Sequence, residues 1–399
     1  MKRASAKSSG VSGSSTKKRP PVSGVRNAVI AKSIVKADQI KAKARSKSRE
    51  ALTPKSREAL TPKGGSVSKK NQAFRLDPKL VLSMHETMLR SRLLEERLIY
   101  MYKQNHGYFW LGGPGEEAFQ VPLGHQILKG QGLDHDFMHF HYRQSATMLV
   151  LGMDPMDAMR QMKNTSTDPF SGGRNFCSHY SKREWNVVPV TSTIETQYLS
   201  AIGTGIAHAR HGGEGVTIVT GGDAGTAEGD FASCLVWASR PMLNLPILII
   251  VTNNKWGIST PADTQHGEAR ISDRGKAFGI RSATINGLDI EESWFGLQDA
   301  LSYVRKERKP FLLEVNVTRL YGHSSATGAN LVAGEEDPIL RLEAKLDAAG
   351  LRSKAESEAL RAQITAELLE MSKRVIQEPM PDPSTIYDHT FKDQKGRYW

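Results

Sequence analysis

Two short stretches carry residues with a chemistry of their own. Gly221-Gly222-Asp223 follows the β-branched run Val216 to Thr220, and Asn253-Asn254 follows a second apolar run, Ile247 to Thr252. A carboxylate, an amide oxygen and bare glycine backbone suit a magnesium ion already carrying phosphate oxygens. Glycine lets the backbone come close to a diphosphate. Runs this short and β-rich read as strands buried on both faces of a parallel sheet. Between them Phe231, Cys234, Leu235 and Ala238 recur at helical spacing, and Pro241 stops the helix. The unit is a β-α-β crossover. Ligands of open α/β sheets bind beyond the carboxyl ends of the strands, which aims Asp223 and Asn254 at one place. A dinucleotide site is the alternative. It requires G-x-G-x-x-G at the first turn, which neither GGDAGT nor Gly203-Thr204-Gly205 supplies.

Further candidates flank this unit. Arg143, next to Tyr142, has the planar fork that donates two parallel hydrogen bonds to a diphosphate. His135, His139 and His141 lie close enough together to suggest zinc, but no cysteine or fourth ligand accompanies them. Gly107 to Glu117, GYFWLGGPGEE, is a glycine-rich turn holding three consecutive aromatics, either core packing or a substrate-pocket wall with Phe109 as its candidate. Residues 189 to 197, PVTSTIETQ, are rich in hydroxyl oxygens and also suit the N-cap of a following helix. The loop from Arg319 to Gly334 has almost no apolar anchor and carries His323 just past a strand end, where an imidazole can exchange a proton near neutrality.

The elements that must position these groups are legible. Asp77-Pro78 predicts a helix to about Gln104, with Val81, Met84, Met88, Leu94, Leu98 and Met101 inward. A helix of small residues, Ala201, Gly203, Gly205 and Ala207, ends at Gly212-Gly213. Strands are expected at Ile280 to Ile285 and Phe311 to Val317, separated by a helix marked by Trp294, Leu297, Leu301 and Val304. Asp273 to Lys276 reads as surface. The domains expected are a disordered basic tail over 1–73, an α/β domain over 74–350, and a C-terminal helix and tail over 351–399.

The net charge of +12 over 399 residues conceals two regimes. Residues 1–70 hold 19 Lys and Arg against Asp38, Glu50 and Glu58, whereas the remainder has 35 basic and 39 acidic residues. The tail has no aromatic before Phe74 and repeats SREALTPK at 48–55 and 56–63. It cannot bury enough apolar surface to offset ordering entropy. A solvated linker, a docking arm for an acidic partner, a nucleic-acid-binding segment and a transit peptide are its readings, with a bacterial extension favoured. Two cysteines, Cys177 and Cys234, exclude a disulfide scaffold and suggest a reducing compartment. No apolar run reaches the roughly eighteen residues of a membrane span.

Collinear over about residues 75 to 350, the Tyr142-Arg143 pair, the segment Ser192-Thr193-Ile194, Gly222-Asp223 to Asn253-Asn254, and Gly322-His323-Ser324 resemble the alpha subunit of 2-oxo acid dehydrogenases. The resemblance implies an α/β thiamine-diphosphate-binding fold with a mostly parallel sheet, and decarboxylation of a 2-oxo acid with acyl transfer to a lipoyl carrier. It assigns magnesium to Asp223, Asn254 and the backbone oxygen of Trp256. It assigns the cofactor to Tyr142, Arg143, Ser192, the backbone of Ile194, Gly222, Ala224 and His323, and catalysis to His323. It matches a potassium site to Thr191, Thr193, Thr196 and Gln197, whose oxygens suit a hard cation. One departure is Ala224 where the signature has glycine, which fits only if that backbone avoids positive φ.

The same resemblance places the cofactor-activating glutamate on a separate beta chain. It therefore implies an α2β2 assembly and a lipoyl-bearing acyltransferase as partners, without a membrane. Gln144-Ser145 after Tyr142-Arg143 leans towards branched-chain substrates; pyruvate and acetoin are the alternatives. A non-catalytic subunit with a partner-binding tail is a third reading, against which the retained Asp223, Asn254 and His323 argue. The expected setting is a bacterial cytoplasm, or the mitochondrial matrix if the tail is a transit peptide.

Overall fold

The central sheet has five strands, and every pairing in it is parallel. In chain order these are β1 (Phe137–His139), β2 (Thr217–Gly222), β3 (Ile247–Asn253), β6 (Arg281–Asn286) and β7 (Phe311–Asn316), arranged β1-β2-β3-β7-β6. A separate hairpin pairs β4 (Trp256–Gly257) with β5 (Thr260–Pro261). This computed structural model describes residues 74–391 and 394–395, which belong to the compact unit Lys70–Trp399. The basic tail, with its expected disorder and its SREALTPK copies, lies outside the described residues.

Strands β2, β3 and β7 are sunk in apolar surroundings on both faces, as their unbroken apolar runs require. Successive side chains alternate between two cores. Ile218, Leu248, Ile250 and Leu313 face one, and Val219, Ile249, Val251 and Leu312 the other. Each such side chain fully removed from water contributes about 1.5–3 kcal/mol before entropy is counted.

The first core is covered by the helix Pro78–Lys103. Asp77 caps it by accepting from the amides of Lys79 and Leu80, and Pro78 starts it where no amide donor is needed. All six residues expected on its inner face are buried. The helices Pro338–Ala348 and Lys354–Ile376 share this core through Ile339, Leu342, Ile364, Leu368 and Val375. The second core is covered by Gln197–His211 and Gly229–Ala238, whose Tyr198 and Phe231 rings meet edge to face at 5.1 Å. Among the described residues, no helix is long and apolar enough to cross a membrane.

Three local expectations need correction. The edge strand β1 is absent from the sequence reading. It is fixed by buried Asp136, whose carboxylate accepts from the amides of Leu128 and Val216 and pairs with Arg305 at 2.7 Å. Thr196 does sit at the N-cap of Gln197–His211, but its hydroxyl does not cap; it lies 2.9 Å from both Thr191 Oγ1 and Thr193 O and can donate to one of them. The Asp273 to Lys276 segment is not all surface. Gly275 is buried and Arg274 reaches inward to the Thr226 carbonyl at 2.6 Å.

Candidate active site

Because the sheet is parallel, the chain leaves β1, β2, β3 and β7 at one edge, and a cavity of about 330 Å³ opens there. Its lining includes His141, Tyr142 and Arg143 beyond β1, Gly222 at the end of β2 with Asp223 and Ala224 beyond it, and Asn254 and Trp256 beyond β3. His323 from the loop after β7 and Ile194 from the segment before Gln197–His211 join them. The edge thus collects residues spread from 141 to 323.

Asp223 is 1% exposed, and burial raises its carboxyl above the ordinary range. Its Oδ2 has no hydrogen-bond partner among the described residues. A buried carboxylate oxygen without a donor is costly unless a cation meets it. Asn254, also buried, uses Oδ1 to accept from the Trp256 amide at 3.0 Å. Lys255, between them, and Ile258 just beyond adopt positive φ. A β-branched residue rarely does so, and such strain gathers at functional sites.

Ala224 opens a 3-10 turn, Ala224–Ala227, and is not at positive φ, so alanine is accommodated. The glycine that the turn needs is the next one. A Cβ on Gly225 would collide with the Glu195 carboxyl group. Glu195 was missed in the sequence because it stands among hydroxyl residues in a loop. It lines the cavity, accepts from the Gly222 amide at 3.2 Å and from Gln197 Nε2 at 2.8 Å, and is pushed up to about 8, chiefly by burial, with Asp223 and Glu228 adding.

Arg143 is held from several sides. Its guanidinium donates to Gly112 O, to Tyr142 Oη at 3.3 Å and to His323 Nδ1 at 3.1 Å. Its carbonyl accepts from Gln120 Nε2 at 2.7 Å. The glycine-rich turn is small for this reason: a Cβ on Gly113 would strike the Arg143 carbonyl. Glu116, fully buried near Arg143, is pushed up to about 7 by burial. Since arginine only donates, His323 Nδ1 accepts, and the neutral ring carries its proton on Nε2. Burial, then Arg143 and Arg319, lower His323 to about 4.

The 191–197 segment divides. Ile194 reaches the cavity, whereas Ser192 is exposed and its hydroxyl meets His179 Nε2 at 2.8 Å. His179 Nδ1 donates to Cys177 O at 3.0 Å, so Nε2 is the acceptor. Thr191 Oγ1 lies 2.9 Å from Thr196 Oγ1, 3.3 Å from Thr193 O and 3.4 Å from Gln197 Oε1, a compact group of oxygens. Phe109 does not line the cavity; it is half-buried, with its ring 5.9 Å from Phe176, which in turn lies 5.8 Å from His179. The three clustered histidines part company. His135 meets Gln131 O, His139 meets Thr204 Oγ1, and His141 lies 3.7 Å from the Tyr142 ring. Among the described residues no group of three or more His, Cys, Asp or Glu is placed to hold a metal.

A parallel sheet with these groups at its carboxyl edge has the form of a thiamine-diphosphate-binding α/β domain. The chain belongs to the dehydrogenase E1 component family, whose model matches residues 85–384. That family implies dependence on thiamine diphosphate. The chain is 27% identical over 332 residues to the 2-oxoisovalerate dehydrogenase subunit alpha of Bacillus subtilis, covering 81% of this chain and 99% of that protein. It is 25% identical to the subunit of the same name from Pseudomonas aeruginosa, over 80% of each chain. With the human mitochondrial subunit alpha it shares 23% identity, over 84% of this chain and 75% of the other.

Proposed function

We propose that this chain is the alpha subunit of a branched-chain 2-oxo acid dehydrogenase, working with a beta subunit and passing its acyl group to a lipoyl-bearing acyltransferase. Family membership and the names of the relatives support this reading. The structural observation that best supports a cation site here is the buried Oδ2 of Asp223, which has no hydrogen-bond partner among the described residues, in the cavity beside Asn254.

In this reading Asp223, Asn254 and the backbone oxygen of Trp256 hold magnesium. Tyr142 and Arg143 would reach the diphosphate, Gly222 and Ala224 would give it backbone access, and Ile194 would meet the aminopyrimidine, while Ser192 is held outside the cavity lining by His179. Thr191, Thr193, Thr196 and Gln197 hold a potassium ion that stiffens the segment carrying Ile194. Thiamine diphosphate, when bound, would supply the electron sink that decarboxylation of a 2-oxo acid needs. His323, neutral near pH 7, offers its Nε2–H as a hydrogen-bond donor to oxygen that gains negative charge, and Arg143 fixes the ring by bonding the other nitrogen. The Tyr142 ring meets that of His323 edge to face at 6.2 Å. The activating glutamate is supplied by the beta chain in an α2β2 assembly.

The test is to co-express the chain with its beta subunit, titrate thiamine diphosphate with and without magnesium, and assay a panel of branched-chain 2-oxo acids, pyruvate and acetoin. Magnesium-dependent binding and preference for the branched-chain acids are expected. Binding indifferent to magnesium would overturn the metal assignment, and a preference for pyruvate would overturn the substrate.

A further inference from the structure

Arg319 is a cation set beside the site with nothing to hold. It stands at the start of the loop that carries His323, beyond β7. Its Nε and Nη1 are shut off from solvent, and among the described residues neither finds a hydrogen-bond acceptor. The contrast with Arg143 is plain, since Arg143 is bonded to a carbonyl, a phenol and an imidazole. Burial, with Arg143 next, lowers the Arg319 guanidinium below its ordinary value, and Asp223 and Glu335 act on it only at longer range.

Arg319 does not line the main cavity. It lines a second one of about 240 Å³, which shares Trp256, Ile258 and His323 with the first. The guanidinium carbon lies 5.8 Å from the Trp256 ring centroid. That position gives cation–π attraction without using any of its five donors. Ser259 and Thr327 also face this space. Two guanidinium nitrogens cut off from water call for acceptors to replace it, and the flat fork matches the paired oxygens of a carboxylate or a phosphate.

We infer that Arg319 and the side cavity it lines form a second oxyanion subsite, opening off the cofactor cavity at Trp256, Ile258 and His323. The inference rests on the function proposed above. Two oxyanions come within the chemistry of that reaction: the terminal phosphate of the cofactor and the carboxylate of the 2-oxo acid. Either would lie next to His323, which lines both cavities.

The experiment uses the assembled complex with the wild-type chain, Arg319→Met and Arg319→Lys. Thiamine diphosphate with magnesium is titrated calorimetrically, and KM and kcat for the 2-oxo acid are measured with an artificial electron acceptor. Loss of charge-assisted hydrogen bonds predicts roughly a tenfold or larger weakening in Arg319→Met. A raised Kd for thiamine diphosphate identifies the phosphate; a raised KM with unchanged Kd identifies the carboxylate. Arg319→Lys keeps the charge without the fork and falls between, and it stands in where Arg319→Met does not fold. Both constants within twofold of wild type overturn the subsite, as does a loss confined to assembly with the beta subunit, which makes Arg319 an interface cation. Inorganic pyrophosphate and the free 2-oxo acid are titrated separately into the same proteins. A wild-type complex that takes up no thiamine diphosphate refutes the functional reading; the subsite still stands if either probe loses affinity in Arg319→Met, and falls if neither does.

Discussion

The carboxyl group of Glu195 occupies the space into which residue 225 would project a Cβ. The glycine at 225 and the acid at 195 are therefore one arrangement. Gly225→Ala should overpack the turn and cost about 1–3 kcal/mol, in the usual range for an extra buried methyl. Adding Glu195→Ala should recover most of it. Thermal unfolding of the single and double variants in the complex checks this. Additive losses would mean that the two residues do not compete for the space.

Asp223→Asn keeps the shape of the side chain but removes the charge offered to the metal. Magnesium-dependent affinity for thiamine diphosphate should fall by about two orders of magnitude, as when a buried charge loses its counterpart, while the unfolding midpoint holds or rises. Calorimetric titration decides it; unchanged affinity takes Asp223 out of the metal site.

His323→Gln removes the ring but leaves Arg143 an acceptor. Cofactor affinity should stay near wild type, while acylation of the lipoyl carrier drops by roughly 10²-fold or more, as for a positioned acid–base group. Because His323 is lowered to about 4, its ionisation should leave no mark on the wild-type rate profile above about pH 5. A kinetic pKa between 6 and 7 that vanishes in His323→Gln would show the ring to be charged at work instead.

Glu95 gives a pH prediction unconnected with activity. It is buried, accepts from Trp110 Nε1 at 2.9 Å and from the Ser145 hydroxyl, and is pushed by burial from 4.5 up to about 7. Between those values the folded chain keeps a proton that the unfolded chain has released. Its contribution is thus whole below about pH 4.5 and lost as the pH rises through about 7. Glu95→Gln mimics the neutral form, so its melting temperature relative to wild type should climb from pH 5 to pH 8. A flat difference across that range would place the carboxyl near its ordinary value.

What the sequence disclosed, and what it withheld, follows from how far each signal reaches. Strands β2, β3 and β7 and the helix Pro78–Lys103 are local patterns of apolar residues, legible within a few turns of chain, and their ends placed Asp223, Asn254 and His323 at one edge. β1 was hidden because Phe137-Met138-His139 is too short to show a period, and its anchor is a carboxylate bonded to residues far along the chain. Glu195 and Arg319 were passed over for a similar reason. The meaning of Glu195 depends on Gly225, and that of Arg319 on the acceptors it lacks. Ala224, where the signature has glycine, was the one visible sign that the turn is built differently.

The strand order β1-β2-β3-β7-β6 also governs how the protein is made. As the chain leaves the ribosome, β3 emerges with β2 on one side and nothing on the other, and its partner β7 begins only at Phe311. Throughout the synthesis of residues 254 to 310 a strand that begins with five apolar residues, Ile247 to Val251, stands as an open edge, which invites pairing with another nascent chain. Tyr142 and Arg143 are long finished by then, yet their neighbour His323 is delivered after β7. The cavity is therefore among the last features to close, and nascent chains stopped before β7 would be clients for chaperones and prone to aggregate.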